Sequence, residues 1–299
     1  MTRILCLGMS ALDAIYRVPA IPASPTKVLA TGFLEAGGGM AANASVGVAR
    51  LGAHVQYWGR LGDDALGDRI LADLVREGVD VSSVRRVPGR VSPSAAILID
   101  AAGERLVCAY NDPQLDNDPS WLPLGRIRDF AAVLADVRWP QGAAAVLDAA
   151  RAAGRPGVLD GDVGPVEALA DLTRRASFAA FSEPGLACLA GEGSIGLALR
   201  HAAAGTTATV GVTLGPDGFL WLENGHEHRV PAPEVHAVDT LAAGDVWHGA
   251  FTLQLGEGRT VAEAARFANA AAALKCTRFG GRSGAPTRIE VEAMLAKSG

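Results

Sequence analysis

Lysine is nearly absent from this chain. It occurs only at Lys27, Lys275 and Lys297, and every other strong base is an arginine. None of the three follows a glycine and precedes Ser or Thr, so a P-loop is excluded, and any phosphate chemistry must use another device. Cysteine is scarce too. Cys6, Cys108, Cys188 and Cys276 form no C-x-x-C pair and no Cys/His cluster with zinc spacing, which excludes a zinc module and predicts buried free thiols in a reducing cytoplasm. No apolar run approaches roughly 18 residues, so no membrane span is expected. The start, Met-Thr-Arg-Ile-Leu-Cys-Leu-Gly, has too short an apolar stretch for a signal peptide. There is no excess of positive charge: the net charge of −5 disfavours broad binding to a nucleic-acid backbone.

What is present is apolar. Hydrophobic residues make up 49% of the 299 positions, enough for a large core and too many for a disordered chain. Short Val/Ile/Leu runs alternate with Ala-rich stretches of helical period. From about residue 130 the order is strand, helix, strand, helix, which predicts a parallel sheet covered by helices on both faces. The regions from about 14 to 35 and 92 to 111 are extended and alternate polar with apolar. The second contains Ala101-Ala102-Gly103-Glu104 between two strands, a hairpin pattern. Two such inserts predict a small sheet projecting from the main body, as a lid or a dimer surface. One domain, residues 1–299, is expected.

Four segments could carry chemistry. Asp239-Thr240-Leu241-Ala242-Ala243-Gly244-Asp245 runs into the apolar helix Val246–Leu255. Free N–H groups at such a helix start, with the helix dipole, form an anion site. Asp245 at the same point suits a base that takes a proton from an attacking hydroxyl, although Asp is also a favoured helix N-cap. Glu35-Ala36-Gly37-Gly38-Gly39-Met40-Ala41-Ala42-Asn43 enters another helix, and its glycines allow close approach of a ligand. It resembles a dinucleotide fingerprint only superficially, because the first strand, Ile4–Gly8, lies far upstream. Asn43, one turn into that helix, either points at the same pocket or faces solvent. Asp13 follows the first strand, where an acid can accept hydrogen bonds from two hydroxyls of a polyol or simply cap a turn. Thr213-Leu214-Gly215-Pro216-Asp217-Gly218 reads as a strand end and a turn.

In this order and spacing, the segments resemble the ribokinase-type (PfkB) carbohydrate kinases, over essentially the whole chain. The resemblance implies a ribokinase-like three-layer α/β/α sandwich with a mostly parallel central sheet and a small β lid. It implies transfer of the ATP γ-phosphoryl group to a sugar hydroxyl, with Mg2+ and a possible monovalent cation (K+) beside Asp239 and the loop Arg278–Ser283. Asp245 matches the family's catalytic base, and the N–H groups of Ala243, Gly244 and Asp245 match its anion hole. Asp13, Gly38, Gly39 and Asn43 match the sugar-binding positions; Thr213, Gly215 and Gly218 match the nucleotide side. The same analogy implies a homodimer joined through the lid, with sugar and ATP as partners; the thiols and the start of the chain predict a cytoplasmic protein, and the charge and short apolar runs predict neither nucleic acid nor membrane as a partner.

Two positions depart from the family pattern. Ala242 stands where the family usually has Gly. Gly185, in Ser182-Glu183-Pro184-Gly185, stands where the family has the Glu tied to magnesium. Within the family, Val133–Trp139, Leu159–Asp162, Phe181–Ala187, Trp221–Gly225 and Ala273–Arg278 resemble the bacterial 6-deoxy-6-sulfofructose kinases. There Lys27, expected in a lid strand, and Arg138, at a sheet strand end, match the bases that hold the sulfonate. An arginine fork suits an oxyanion. The alternatives are a solvated Lys27, and an Arg138 paired with Asp160 or Asp162. Where those enzymes have an Asn in the second lid hairpin this chain has Ala109, with Asn111 two places on. A kinase for fructose, ribose or a phosphorylated ketose, or a non-catalytic sugar-binding protein on the same fold, remains an open alternative at this point.

Overall fold

The computed structural model describes residues 1–191 and 193–297. In chain order the elements are β1 (Arg3–Gly8), β2 (Ala11–Arg17), β3 (Gly32–Gly38), α1 (Met40–Arg50), β4 (His54–Gly62), α2 (Ala65–Arg76), β5 (Asp80–Val87), β6 (Ser94–Ile99) and β7 (Arg105–Tyr110). Then follow β8 (Ala132–Asp136), α3 (Pro140–Ala152), β9 (Gly157–Gly161), α4 (Val166–Arg175), β10 (Phe178–Ser182), α5 (Glu183–Ala190), α6 (Ile195–Ala203), β11 (Thr209–Thr213), β12 (Phe219–Glu223), β13 (His226–Val230), α7 (Ala243–Gly256), α8 (Val261–Cys276) and α9 (Arg288–Lys297).

Nine strands form one sheet in the order β13-β12-β11-β10-β9-β8-β1-β4-β5. From β11 to β5 every pairing is parallel; β12 and β13 add antiparallel pairs at one edge. The apolar runs without alternation explain this burial on both faces. Along β1, Ile4 and Cys6 face one core with α1, α7 and α8, while Leu5 and Leu7 face the other with α3, α4 and α6. The predicted three layers are therefore present.

The remaining strands form a second sheet, β3-β2-β6-β7. Strands β2 and β3 begin and end outside the extended region expected at 14–35, and the connection between them carries no strand. Two edge strands escape the apolar pattern: β5, Asp-Val-Ser-Ser-Val-Arg-Arg-Val, and β13, four of whose five residues are exposed. Helix α5 hides behind its Pro184-Gly185 start, which reads as a turn; Ser182 caps it by accepting the Gly185 N–H at 3.0 Å. The thiols are free, but only Cys6 is buried; Cys108 is exposed on β7 of the second sheet, which corrects the expectation that all four are interior.

Small residues bring two helix starts together. Added to Gly249 of α7, a Cβ would lie 2.6 Å from the Ala44 carbonyl oxygen of α1, and one on Gly47 would touch Val246. Only glycine permits this close crossing, which sets the first turns of α1 and α7 side by side.

Candidate active site

Asn43 and Asp245 meet at that crossing. The Asn43 Nδ2 donates to Asp245 Oδ2 at 2.7 Å, although the two residues are 202 positions apart. Asp245 is not the N-cap of α7. Ala242 holds that place, in the left-handed region at φ 64°, ψ 12°, and Asp245 sits in the first turn beyond it. Burial pushes the Asp245 carboxyl up to about 7; the Asn43 hydrogen bond opposes this, and the charges of Asp162, Asp136 and Asp13 add to it. Asn43 is buried, so it does not face solvent.

The backbone at the start of α7 supplies donors. The Ala243 N–H is taken by the Thr240 carbonyl at 3.2 Å, and the Val246 N–H by Ala242. Among the described residues the N–H groups of Gly244 and Asp245 have no acceptor within the chain. Gly244 is exposed, and a Cβ there would stand in open space.

Asp13 belongs to strand β2 of the second sheet, not to a turn after β1. Its carboxyl packs against Gly38 of β3, where any Cβ would overlap it. Burial raises Asp13 to about 6, against the pull of Arg282. Gly39 is the N-cap of α1 at φ 89°, and a Cβ there would strike the Met9 carbonyl. These two glycines therefore let strand β3, the end of β1 and the start of α1 converge on Asp13.

Sequence reasoning missed three residues of this cluster. Arg282, 2% exposed, lies across Gly37, approaches Asn43 Oδ1 at 3.4 Å and pairs with Asp73. Its one sequence signal is its place in the run Gly280-Gly281-Arg282-Ser283-Gly284. His248, one turn beyond Asp245, has Nδ1 2.8 Å from the Gly244 carbonyl and 3.5 Å from Asp160 Oδ2, and Nε2 3.1 Å from the Ala180 carbonyl. Asp160 is buried at the end of β9, and burial together with the neighbouring Asp245 and Asp162 holds it well above the ordinary carboxylate range.

On the expected nucleotide side, Thr213 ends β11 and donates to the Phe181 carbonyl at 3.2 Å. Gly215 and Gly218 both have positive φ in the turn that follows, and Gly218 abuts the Val230 carbonyl. Magnesium has no preformed cage: among the described residues no three His, Cys, Asp or Glu side chains cluster suitably. Gly185 cannot be the missing Glu in this backbone, because a Cβ there would overlap the Gly161 carbonyl oxygen.

Two expected residues stand apart. Lys27 lies in the connection between β2 and β3, not in a lid strand, and is exposed. The Arg138 guanidinium donates to the Val163 carbonyl at 2.7 Å and to Asp162 Oδ2 at 2.9 Å, so it is already paired. Even so, Arg138 lines a cavity of about 290 Å3 with Gly8, Met9, Arg60, Asn111 and Asn117. Arg60 stacks over Trp139, 4.3 Å from the ring centre. Met9, which also lines this cavity, has its carbonyl against Gly39.

Comparison with known proteins agrees with this architecture. The pfkB family carbohydrate kinase model matches residues 1–288. Ribokinase of Bacillus subtilis is 31% identical over 99% of this chain and 100% of its own length. Fructokinase-1 of Oryza sativa is 30% identical, over 88% of this chain and 89% of its own. The crystal structure of a ribokinase-like protein from Agrobacterium tumefaciens superposes with a TM-score of 0.94 at 43% identity, covering 99% of this chain and 98% of the other. With the nine-stranded sheet, the small second sheet and the Asn43–Asp245 crossing already in place, the chain belongs to the pfkB family of carbohydrate kinases.

Proposed function

We propose that this ATP-dependent kinase transfers the γ-phosphoryl group to a hydroxyl of a small ketose with an anionic tail, such as 6-deoxy-6-sulfofructose. The observation that carries the chemistry is Asp245: a carboxyl brought to about 7 by burial, fixed by Asn43, and set among unpaired N–H groups. A base whose pKa lies near the working pH is both substantially ionised and basic enough to accept a hydroxyl proton. Asp13 and Asn43, with the close backbone of Gly38 and Gly39, hold the sugar so that one hydroxyl faces Asp245. The N–H groups of Gly244 and Asp245, with that of Ala243 if Thr240 releases it, stabilise the charge on the transferring group. Thr213, Gly215 and Gly218 flank the nucleotide. Magnesium suits a site of this kind, since it is bound through phosphates, water and one or two carboxylates; Asp160 and Asp162 are the acids at hand, and the ion neutralises phosphate charge.

The tail assignment rests on the cavity beyond Met9. Arg60, Arg138 and Asn111 line one hollow together with Met9, and on this reading Asn111 takes the part of the absent Asn at 109. Lys27, on its exposed connection, would have to fold over this hollow. One observation favours a neutral sugar such as fructose or ribose instead: Arg138 already donates to Asp162 and Val163, and Arg60 to the Asp116 carbonyl and Asn117. The relatives named above act, by their names, on different sugars, so similarity does not choose.

The test is ADP release from Mg-ATP with sulfofructose, fructose, fructose 6-phosphate, ribose and 2-keto-3-deoxygluconate. Preference for an anionic ketose is expected. Arg138→Met should then raise its KM by about 10- to 100-fold, the cost of one charge-assisted hydrogen bond, and leave neutral sugars unchanged. Preference for a neutral sugar removes the tail pocket and keeps the kinase. Strand β7 is exposed along its whole length, with Leu106, Val107 and Tyr110 on it, and we assign this edge to a homodimer through the lid; a monomer in sedimentation would overturn that assignment.

A further inference from the structure

Asp239 begins the connection into α7, and its oxygens are occupied from within the chain. Oδ1 accepts the Leu241 N–H at 2.8 Å, and Oδ2 accepts the N–H groups of Gly280 and Gly281, each at 3.0 Å. Lys275 Nζ donates to the Asp239 carbonyl at 2.7 Å and lies 3.2 Å from Oδ2. Lys275 ends α8 and is completely withdrawn from solvent. The next residue, Cys276, accepts through its carbonyl from the N–H groups of both Val238 and Asp239. The end of α8 thus grips this connection by side chain and backbone together.

A monovalent cation at this place would need the same oxygens. The residues do not fit one: the Asp239 carbonyl already faces an ammonium, and a second positive charge beside a buried lysine would be repelled. We infer that the Lys275 ammonium does here what a bound monovalent cation would do, so the protein needs no K+. It is a positioning residue. It neutralises Asp239, locks that residue to the Gly280–Gly281 turn, and so fixes the entry to α7, six residues before Asp245. The turnover part of this inference rests on the kinase reading above; the rest does not.

The experiment compares KCl with tetramethylammonium chloride at equal ionic strength, on the wild type and on Lys275→Met, by melting temperature and by ADP release. For the wild type, melting temperature and turnover should be the same in both salts. Lys275→Met should melt lower in tetramethylammonium, and K+ should restore much of the loss, because an ion that binds only the folded state stabilises it by mass action. Its turnover should fall by about 100-fold, as for a small misplacement of reacting groups, and recover with K+. A wild type that K+ selectively stabilises or activates overturns the inference. So does a Lys275→Met protein that is destabilised and slowed but indifferent to K+, which would leave the lysine a purely structural ion-pair partner. If Lys275→Met does not fold, the wild-type salt comparison still decides. If the wild type turns over no sugar, the kinase reading fails while the melting comparison continues to test the site.

Discussion

Asp245→Asn separates catalysis from stability at one atom. The substitution keeps the shape, and the amide oxygen can still accept from Asn43 Nδ2. Turnover should fall by about 10²- to 10⁴-fold, the usual contribution of a general base, while sugar binding persists. Stability should move the other way. The carboxyl has an ordinary value of 3.8 and is pushed by burial to about 7 in the folded protein. Between those values the folded state holds a proton that the unfolded state has lost, so wild-type stability falls as pH rises from about 4 to 7. Three units would amount to roughly 4 kcal/mol; Asp245 retains some solvent contact, which reduces the expected figure to about 1–3 kcal/mol. An uncharged amide escapes this cost. For 299 residues the unfolding entropy is about 0.6 kcal/mol per degree, so at pH 8 the variant should melt some 2–5 °C higher than the wild type. Near pH 4 the difference should vanish. Melting curves at pH 4, 6 and 8, with ADP release at pH 8, form the assay. Using the difference between the two proteins cancels much of the contribution of Asp13 and Asp160, which titrate in both. An inactive variant that gains no stability between pH 4 and 8 would refute the buried-carboxylate argument; one that keeps near-normal turnover would refute the base.

Two more substitutions address the departures from the family pattern. Ala242 pays for a left-handed backbone, φ 64°, that costs an L-residue about 1–2 kcal/mol, so Ala242→Gly should raise the melting temperature by about 1–2 °C after the greater flexibility of unfolded glycine is subtracted; a lower melting point would show that this strain is not real. Gly185→Ala should lower the melting temperature by at least about 2–5 °C, because its Cβ meets the Gly161 carbonyl at the end of β9 and overpacking costs roughly 1–3 kcal/mol; an unchanged melt would mean α5 can move away from the sheet freely.

Features set by local pattern were legible in the sequence. The apolar run Val246–Leu255 predicts a helix, and α7 spans Ala243–Gly256, because such a run is a local signal. The same holds for the parallel core, whose strands are apolar on both faces. What escaped is set by distant partners. The pattern of α8 continues through Lys275 as through any helical residue, and nothing nearby in sequence tells that its ammonium ends against Asp239, 36 positions earlier. Arg282 reaches Asn43 across 239 positions, and His248 reaches Ala180 across 68. For Arg138 the sequence offered both an anion site and a pairing with Asp160 or Asp162, and the pairing formed is with Asp162 and the Val163 carbonyl; Lys27 lies on a connection and not on the strand expected for it.

The acids now explain one another. Asp136, fully buried at the end of β8, accepts the N–H groups of Met9, Ala41 and Arg138 and so ties two strand ends and the start of α1 together. Those three donors oppose the burial that still leaves its carboxyl raised. Among the described residues Asp160 and Asp245 have no comparable set of donors: Asp245 accepts from Asn43, and Asp160 lies 3.5 Å from His248. Each is raised by burial and by the charges around it, and Asp160 is the harder to ionise because Asp245 is near. A structural carboxylate would be expected to acquire donors as Asp136 has. The persistence of two under-compensated acids beside the open N–H groups of α7 makes sense if their balance is completed only when magnesium and nucleotide arrive. On that account Mg-ATP should stabilise the protein more at pH 8 than at pH 5, since only at the higher pH does it relieve a repulsion that already exists.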